Sequence, residues 1–135
     1  SDLLHHLVDK IENNVNAITR HKEFFLEDAE IILVSYGSSA RSALELATSR
    51  RARGERIGVL ELQSLWPFPE ALIRTKCSGA KAVVVVEMNM GQMMRHVKAA
   101  VADPSKVFLA NRIDGKLITP ENIKALLRII QGKGV

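Results

Sequence analysis

The sequence contains a single cysteine, Cys77, and this scarcity limits the redox chemistry open to it. No internal disulfide can form, and an iron–sulfur cluster, which takes several thiolates, cannot be held by this chain alone. Cys77 stands beside Lys76 and has no histidine nearby, so we predict an inert, partly buried thiol and not a nucleophile. Any redox centre that works with this chain must lie on another domain or polypeptide.

Long apolar runs and a secretory leader are also missing from the 135 residues. No apolar run approaches the roughly 20 residues that a membrane-spanning helix requires. The first residues offer neither a basic start nor a cleavage site, so we expect a cytoplasmic protein that is not inserted in a membrane. The length suits one domain with its own core.

The formal net charge of +4 is modest, and much of it comes from one short arginine-rich segment. Because no aromatic residues are interleaved there, we predict a solvated surface and no binding of nucleic acid. The four histidines show no spacing typical of metal ligands with the cysteine or with a carboxylate pair, so no metal site is expected. The arginines concerned are Arg50, Arg51, Arg53 and Arg56.

Apolar patterns of helix and strand alternate along the chain. Residues 4–18 carry apolar side chains at three- and four-residue steps, which predicts an amphipathic helix. Four apolar, β-branched runs predict strands, each followed by a helix, at residues 31–36, 57–62, 83–87 and 107–110. This alternation predicts a three-layer αβα sandwich with a mainly parallel sheet in the order 2-1-3-4. We expect residues 1–28 to form the helix and its lead-in, and residues 29–135 to form the α/β domain.

The third predicted strand runs directly into polar groups. Four consecutive valines at 83–86 suit a strand that is covered on both faces, and Glu87, Asn89 and Gln92 then surround Gly91. Open α/β sheets bind ligands or partners at the carboxyl ends of such strands. A lone carboxylate without an acid or base partner is weak support for catalysis, so we predict no catalytic residue here. We favour tethering of neighbouring loops over ligand binding, which stays open as the alternative.

A second loop joins the first predicted strand to its helix through Gly37, Ser38, Ser39 and Arg41. Backbone N–H groups at the start of such a helix attract phosphates, which would make the chain a small nucleotide- or coenzyme A-binding module. A dinucleotide fingerprint needs three spaced glycines, and only Gly37 is present. We therefore favour the simpler interpretation, in which Ser38 or Ser39 caps the helix.

Four motifs in this order and spacing resemble core domain II of the 2-oxoacid:ferredoxin oxidoreductases, a domain of their α subunit. The resemblance extends from about Glu27 to Ile130. The tryptophan loop around Trp66 is one of the four. The motifs are Tyr36-Gly37-Ser38-Ser39-Ala40-Arg41, Leu65-Trp66-Pro67-Phe68-Pro69, Glu87-Met88-Asn89-Met90-Gly91-Gln92 and Ile118-Thr119-Pro120-Glu121.

The resemblance implies a fold like the transketolase C-terminal domain and a place in an enzyme of several subunits. Such enzymes oxidatively decarboxylate a 2-oxoacid to an acyl-CoA and reduce ferredoxin, using thiamine diphosphate, magnesium, iron–sulfur clusters and coenzyme A. The implied partners are the rest of the α subunit, a thiamine-binding β subunit and, through the complex, ferredoxin. We expect this domain to bind none of the cofactors alone, to be inactive in isolation, and to belong to the 2-oxoglutarate type. A related transketolase-type or pyruvate dehydrogenase-type domain would share the fold but lack the loop that starts at Glu87.

Overall fold

The structure is a computed structural model, and it describes residues 20–64, 67–87, 91–111 and 118–133. The amphipathic helix predicted for residues 4–18 lies outside the described residues. The proposed division of the chain at residue 28 stays a prediction. Residues 21–24, within the expected lead-in, form a strand that belongs to the same sheet as the rest of the domain.

Strands and helices alternate after the first strand, as the apolar patterns predict. The strands are β1 (His21–Phe24), β2 (Ile31–Tyr36), β3 (Ile57–Leu62), β4 (Ala82–Glu87) and β5 (Val107–Asn111). The helices are α1 (Ser39–Ala52), α2 (Glu70–Cys77), α3 (Gln92–Ala100) and α4 (Pro120–Gln131), with a short 3-10 helix at Pro104–Lys106.

The five strands form one sheet in the order β1-β3-β2-β4-β5. The four parallel strands, β3-β2-β4-β5, lie in the predicted order. The sheet also has a strand that the sequence analysis did not predict, because β1 pairs antiparallel with β3, from His21 opposite Leu62 to Phe24 opposite Val59. An edge strand needs no continuous apolar run, and the polar sequence His21-Lys22-Glu23 hid it.

Two apolar cores, one on each face of the sheet, make the three layers. Successive strand residues point to opposite faces, so Ile32 and Val34 pack with α2 and α3, whereas Ile31 and Leu33 pack with α1 and α4. All of β4 is buried, as its valine run predicts for a strand covered on both sides. The helix residues of the first core include Ile73, Cys77, Met93 and Val97, and those of the second include Ala43, Ala47, Ile123 and Leu127.

Specific side chains fix the ends of two helices. Thr119 and Asn122 form a reciprocal capping box at the start of α4, with Pro120 at the first helical position. At the end of α2, Lys106 Nζ donates to the carbonyl oxygens of Cys77, at 3.1 Å, and Ala80, at 3.0 Å. A cation there complements the helix dipole and fixes the turn that follows α2.

Three arginines of the arginine-rich segment are engaged in ion pairs. Arg50 is buried and bonds both carboxylate oxygens of Glu55, at 2.9 and 3.0 Å. Arg51 pairs with Asp28 at 2.7 Å, and Arg56 pairs with Glu30 at 2.6 Å. The last two pairs join the end of α1 and the residue before β3 to the connection between β1 and β2. This part of the positive charge therefore serves the packing of the amino-terminal edge of the sheet.

Candidate functional site

The chain changes direction across the sheet between β2 and β4. From β2 it passes through α1 to β3 on one side, and from β4 it passes through α3 to β5 on the other. Since α1 and α3 lie on opposite faces, the loops that leave β2 and β4 separate at the carboxyl edge. This is the position at which open α/β sheets place a crevice for ligands or partners.

Glu87 anchors the start of α3. Its side chain is 4% exposed, and its two carboxylate oxygens accept the backbone N–H groups of Met93, at 3.3 Å, and Met94, at 3.0 Å. A carboxylate at a helix amino terminus satisfies free N–H groups and complements the helix dipole. Glu87 thus caps the helix that follows its own strand, and both of its oxygens are already engaged.

Ser39 connects the two loops. Its hydroxyl lies 2.8 Å from the carbonyl oxygen of Tyr36, at the end of β2, and 2.9 Å from that of Val86, near the end of β4. A hydroxyl has one hydrogen, so the two carbonyls share this donor. The serine is 1% exposed, and the bond to Val86 fixes the start of α1 against the neighbouring strand.

The prediction that the side chain of Ser38 or Ser39 caps α1 is wrong. Ser38 occupies the N-cap position without a side-chain hydrogen bond, and Ser39 donates to carbonyls instead of accepting from N–H groups. Gly37 is exposed with φ of +68°, and a Cβ added there would meet no atom within 4 Å. Arg41 is exposed on the first turn of α1.

Gly91 and Gln92 form the other rim of the crevice. Gly91 is buried at the N-cap of α3 with φ of +85°, a conformation that an L-residue with a side chain rarely adopts. Gln92 follows as the first residue of α3 and is exposed. Trp66 and Asn89, the remaining predicted site residues, lie outside the described residues. Whether this rim contacts a ligand or a partner stays a prediction.

A buried polar group, Ser35, lies one residue before the end of β2 and was not predicted from the sequence. Ser35 Oγ is fully buried near the end of β2 and has no hydrogen-bond partner in the described part of the chain. Ser35 lies in register with Glu61 of β3 and Val86 of β4. The sequence does not reveal that this serine lacks a hydrogen-bond partner, because its possible partners lie on neighbouring strands of the sheet.

An open depression of about 600 Å³ lies at the carboxyl ends of β2 and β3, next to the loop that follows β2. Tyr36 is 45% exposed next to it, the largest apolar group that the β2 end presents to solvent. Gln63 Nε2 lies 3.3 Å from Glu61 Oε2 and so engages the carboxylate that stands there. The lining residues are Arg20, Tyr36, Gly37, Glu61, Leu62 and Gln63.

The chemistry available to the described residues is limited. Cys77 is fully buried and not partly buried as expected, and burial raises the pKa of its thiol to about 11, which keeps it protonated near neutral pH. Within residues 20–64, 67–87, 91–111 and 118–133, no three His, Cys, Asp or Glu side chains gather as metal ligands would. None of the helices in those ranges has the length and apolarity to cross a membrane.

Known proteins resemble the chain in sequence. The family model for pyruvate:ferredoxin oxidoreductase core domain II matches residues 29–123. The 2-oxoglutarate synthase subunit KorA of Methanothermobacter marburgensis is 34% identical over 121 residues, which are 90% of this chain and 32% of KorA. The ketoisovalerate oxidoreductase subunit VorB of the same organism is 40% identical over 114 residues, 84% of this chain and 32% of VorB. The chain therefore spans about a third of the length of these curated relatives.

Solved structures resemble it in fold. The 2-oxoglutarate:ferredoxin oxidoreductase of Magnetococcus marinus, solved with 2-oxoglutarate, coenzyme A and succinyl-CoA bound, superposes with a TM-score of 0.80. It is 23% identical, and the match covers 94% of this chain and 22% of that one. A split-gene transketolase, in an inactive β4 tetramer, superposes with a TM-score of 0.64 at 21% identity, covering 81% of this chain and 40% of that one. These likenesses establish a transketolase-like fold.

The family match begins two residues before β2 and ends within α4, and so it includes all four parallel strands and the loops that follow β2 and β4. Sequence and fold agree, and the chain belongs to the pyruvate:ferredoxin oxidoreductase core domain II family.

Proposed function

We propose that this chain is the core domain II portion of an α-type subunit in a 2-oxoacid:ferredoxin oxidoreductase. Such an enzyme oxidatively decarboxylates a 2-oxoacid, forms an acyl-CoA and reduces ferredoxin. In this role the domain borders the active site and supports subunit assembly, and it performs no chemical step itself. The family match and the KorA and VorB relatives support this role.

The observation that carries the proposal is how the polar groups of the rim are used. Both carboxylate oxygens of Glu87 accept N–H groups of α3, and the Ser39 hydroxyl is shared between two carbonyl oxygens. Neither group is therefore placed to move a proton on a substrate. What the rim offers outward is a fixed shape with exposed Tyr36, Arg41 and Gln92 side chains. Such a surface suits contact with a neighbouring domain better than catalysis.

The cofactors of the complex do not fit the donor set of this domain. An iron–sulfur cluster takes thiolates, and Cys77 is the chain's single cysteine, buried as a thiol whose pKa is raised to about 11. We propose that thiamine diphosphate, magnesium and the iron–sulfur clusters are held by other parts of the complex. Coenzyme A belongs to the same proposal, supported by its presence in the Magnetococcus structure.

The partners follow from the same role. We propose the rest of the α subunit as the immediate neighbour, a thiamine-binding β subunit as the second, and ferredoxin as the electron acceptor of the complex. The substrate is a 2-oxoacid, and KorA relatives support 2-oxoglutarate, although the relatives also include VorB and the pyruvate synthase subunit PorA of Methanothermobacter thermautotrophicus. A cytoplasmic location completes the proposal.

The test is purification of the native complex through an affinity tag on the subunit that carries this chain. Mass spectrometry should identify a thiamine-binding subunit, and the complex should reduce ferredoxin when a 2-oxoacid and coenzyme A are supplied. Comparing 2-oxoglutarate, pyruvate and 2-oxoisovalerate would assign the substrate. The 135-residue chain alone should show no turnover. Ferredoxin reduction by the isolated chain, or a complex without a thiamine-binding subunit, would refute the proposal.

A small module that binds coenzyme A or a nucleotide through its phosphates is the second candidate. It is favoured by the start of α1, where no side chain caps the helix and Gly37 and Ser38 are exposed. Isothermal titration of the isolated chain with coenzyme A and with NAD separates the two functions. Submillimolar binding would favour the module, and its absence is what the assembly role predicts.

A further inference from the structure

A pair of stacked rings joins two connections of the sheet. Phe68, which follows β3, stacks on His96 of α3, with ring centres 4.9 Å apart and ring planes inclined by 27°. A stacked aromatic pair shifts an equilibrium by about two- to tenfold beyond the burial of its rings. Phe68 is only partly buried and His96 is exposed, so the contact adds little to the core and acts mainly on the position of the segment that carries Phe68.

The backbone on either side of Phe68 is held in place. Phe68 packs against the core beneath α2 and α3, and its carbonyl oxygen accepts the N–H group of Glu70 at 2.9 Å. Pro69 is buried at the N-cap of α2. Because proline fixes φ at residues 67 and 69, this segment has little freedom of its own. The ring contact with His96 then fixes how residues 67–69 lie against α3.

The other ring of the pair lies close to the rim of the crevice. His96 is one helical turn after Gln92, the first residue of α3. Glu87 fixes that start of the helix through two N–H groups. Because β2 lies between β3 and β4 in the sheet, the stack links the connections on both sides of the carboxyl end of β2, where the crevice begins. Residues 67–69 and the start of α3 thus form one wall beside the crevice.

We propose that His96 is a positioning residue for substrate binding: by stacking on Phe68 it fixes residues 67–69 against α3 and so sets the shape of the crevice on this side. This inference rests on the proposed function, in which the domain borders the active site. His96 performs no chemical step in this role. A substrate that contacts such a wall meets a surface that is already in place. Without the stack, residues 67–69 have to be ordered on binding, which lowers affinity.

Fluorescence of the isolated chain tests whether the stack holds this segment. Trp66, the chain's single tryptophan, comes directly before Pro67, so its exposure to a quencher reports on the segment. His96→Ala should raise quenching by acrylamide about two- to threefold. His96→Phe, which keeps a ring, should stay near the parent value, and so should the matched control Lys98→Ala, an exposed change on the same helix. Equal quenching of the parent and His96→Ala would overturn the proposal.

Steady-state kinetics of the intact complex test whether the wall serves substrate binding. His96→Ala should raise the KM for the 2-oxoacid, for coenzyme A or for both by about three- to tenfold, while kcat stays within about twofold of the parent. His96→Phe should recover most of this loss, and Lys98→Ala should change neither parameter. A purely structural role would lower the yield of complex and leave the KM values of the purified complex unchanged. That result, or a His96→Phe complex as impaired as His96→Ala, would refute the proposal.

A double-variant cycle tests whether the effect passes through the ring contact. Phe68→Leu removes the stack from the other side and should raise quenching and KM by about the same factor as His96→Ala. The double variant should be no worse than either single one, because each change removes the same contact. Effects that multiply in the double variant would show that the two side chains act separately, contrary to the proposal.

Failure of this inference is distinguishable from failure of the proposed function. A complex that does not oxidise 2-oxoacids would refute the proposed function, whatever the fluorescence of the isolated chain shows. An active complex whose KM values do not respond to His96→Ala would overturn the positioning role and leave the proposed function in place.

Discussion

The two loops at the carboxyl edge secure their helices by different means. Before the loop that follows β4, the buried carboxylate of Glu87 accepts two N–H groups of α3. After the loop that follows β2, the hydroxyl of Ser39 bonds carbonyl oxygens and leaves the start of α1 without a side-chain cap. Glu87 therefore fixes the start of α3, whereas Ser39 fixes the start of α1 against the end of β4.

The difference bears on what each loop can do for a partner. The carboxylate of Glu87 already complements the positive end of the α3 dipole, so an incoming anion would compete with it for the same N–H groups. The amino terminus of α1 has no acidic residue in its first turn and an exposed glycine in front of it. Stability should therefore depend most on the loop after β4, and variation for ligands or partners should be easier in the loop after β2.

The largest effect should come from Glu87→Ala. Removing the carboxylate leaves two N–H groups without their acceptor in a buried place, which should cost about 3 kcal/mol in the free energy of unfolding. Urea denaturation of the isolated chain measures this loss. Glu87→Gln keeps one acceptor oxygen and should lose about half as much. A loss below about 1 kcal/mol in Glu87→Ala would contradict the anchoring role.

Ser39→Ala should have the next largest effect, because it removes the donor that Tyr36 and Val86 share. We expect a loss of about 1 to 2 kcal/mol by the same urea titration. Ser38→Ala is the matched control, since Ser38 is exposed and forms no capping bond, and it should stay within about 0.5 kcal/mol of the parent chain. Equal losses in the two variants would mean that the link between the loops contributes nothing.

Gly91→Ala and Gly37→Ala compare the backbone of the two loops. Both glycines have positive φ, so each alanine should cost about 1 kcal/mol through backbone strain. The added Cβ at Gly91 would lie 3.5 Å from Leu109 Cδ2, an ordinary contact, and that at Gly37 would meet nothing within 4 Å. Thermal unfolding should thus give similar shifts. A much larger shift for Gly91→Ala would show that the loop after β4 tolerates less adjustment than this contact implies.

The smallest effect should be a gain from Ser35→Ala. The buried hydroxyl has no partner within the described residues, so its removal should stabilise the chain by up to about 1 kcal/mol. Calorimetry of the variant and of its neighbour Val34→Ala, which should instead lose stability through a cavity, checks this. A destabilised Ser35→Ala would show that the hydroxyl is hydrogen-bonded and helps to hold the site.

Much of the fold follows from local pattern. The valines of β4 predict a strand covered on both faces, and Thr119 and Pro120 predict the start of α4, because both signals depend on residues close in sequence. β1 was missed because an edge strand pairs on one side only and needs no apolar run. The position of Glu87 at the end of a predicted strand made it a candidate site residue. The bond from Ser39 to the carbonyl of Val86 could not be predicted in this way, because the two residues lie 47 positions apart in the sequence.

The sequence by itself determined the layers, the order of the parallel strands and the family, because periodicity and motif spacing are written along the chain. Only the tertiary structure decided how Ser39 joins the start of α1 to β4, that β1 forms the edge of the sheet beside β3, and which apolar side chains stay exposed. Those features depend on pairs of groups far apart in sequence, and their hydrogen bonds and burial exist only once the sheet has assembled.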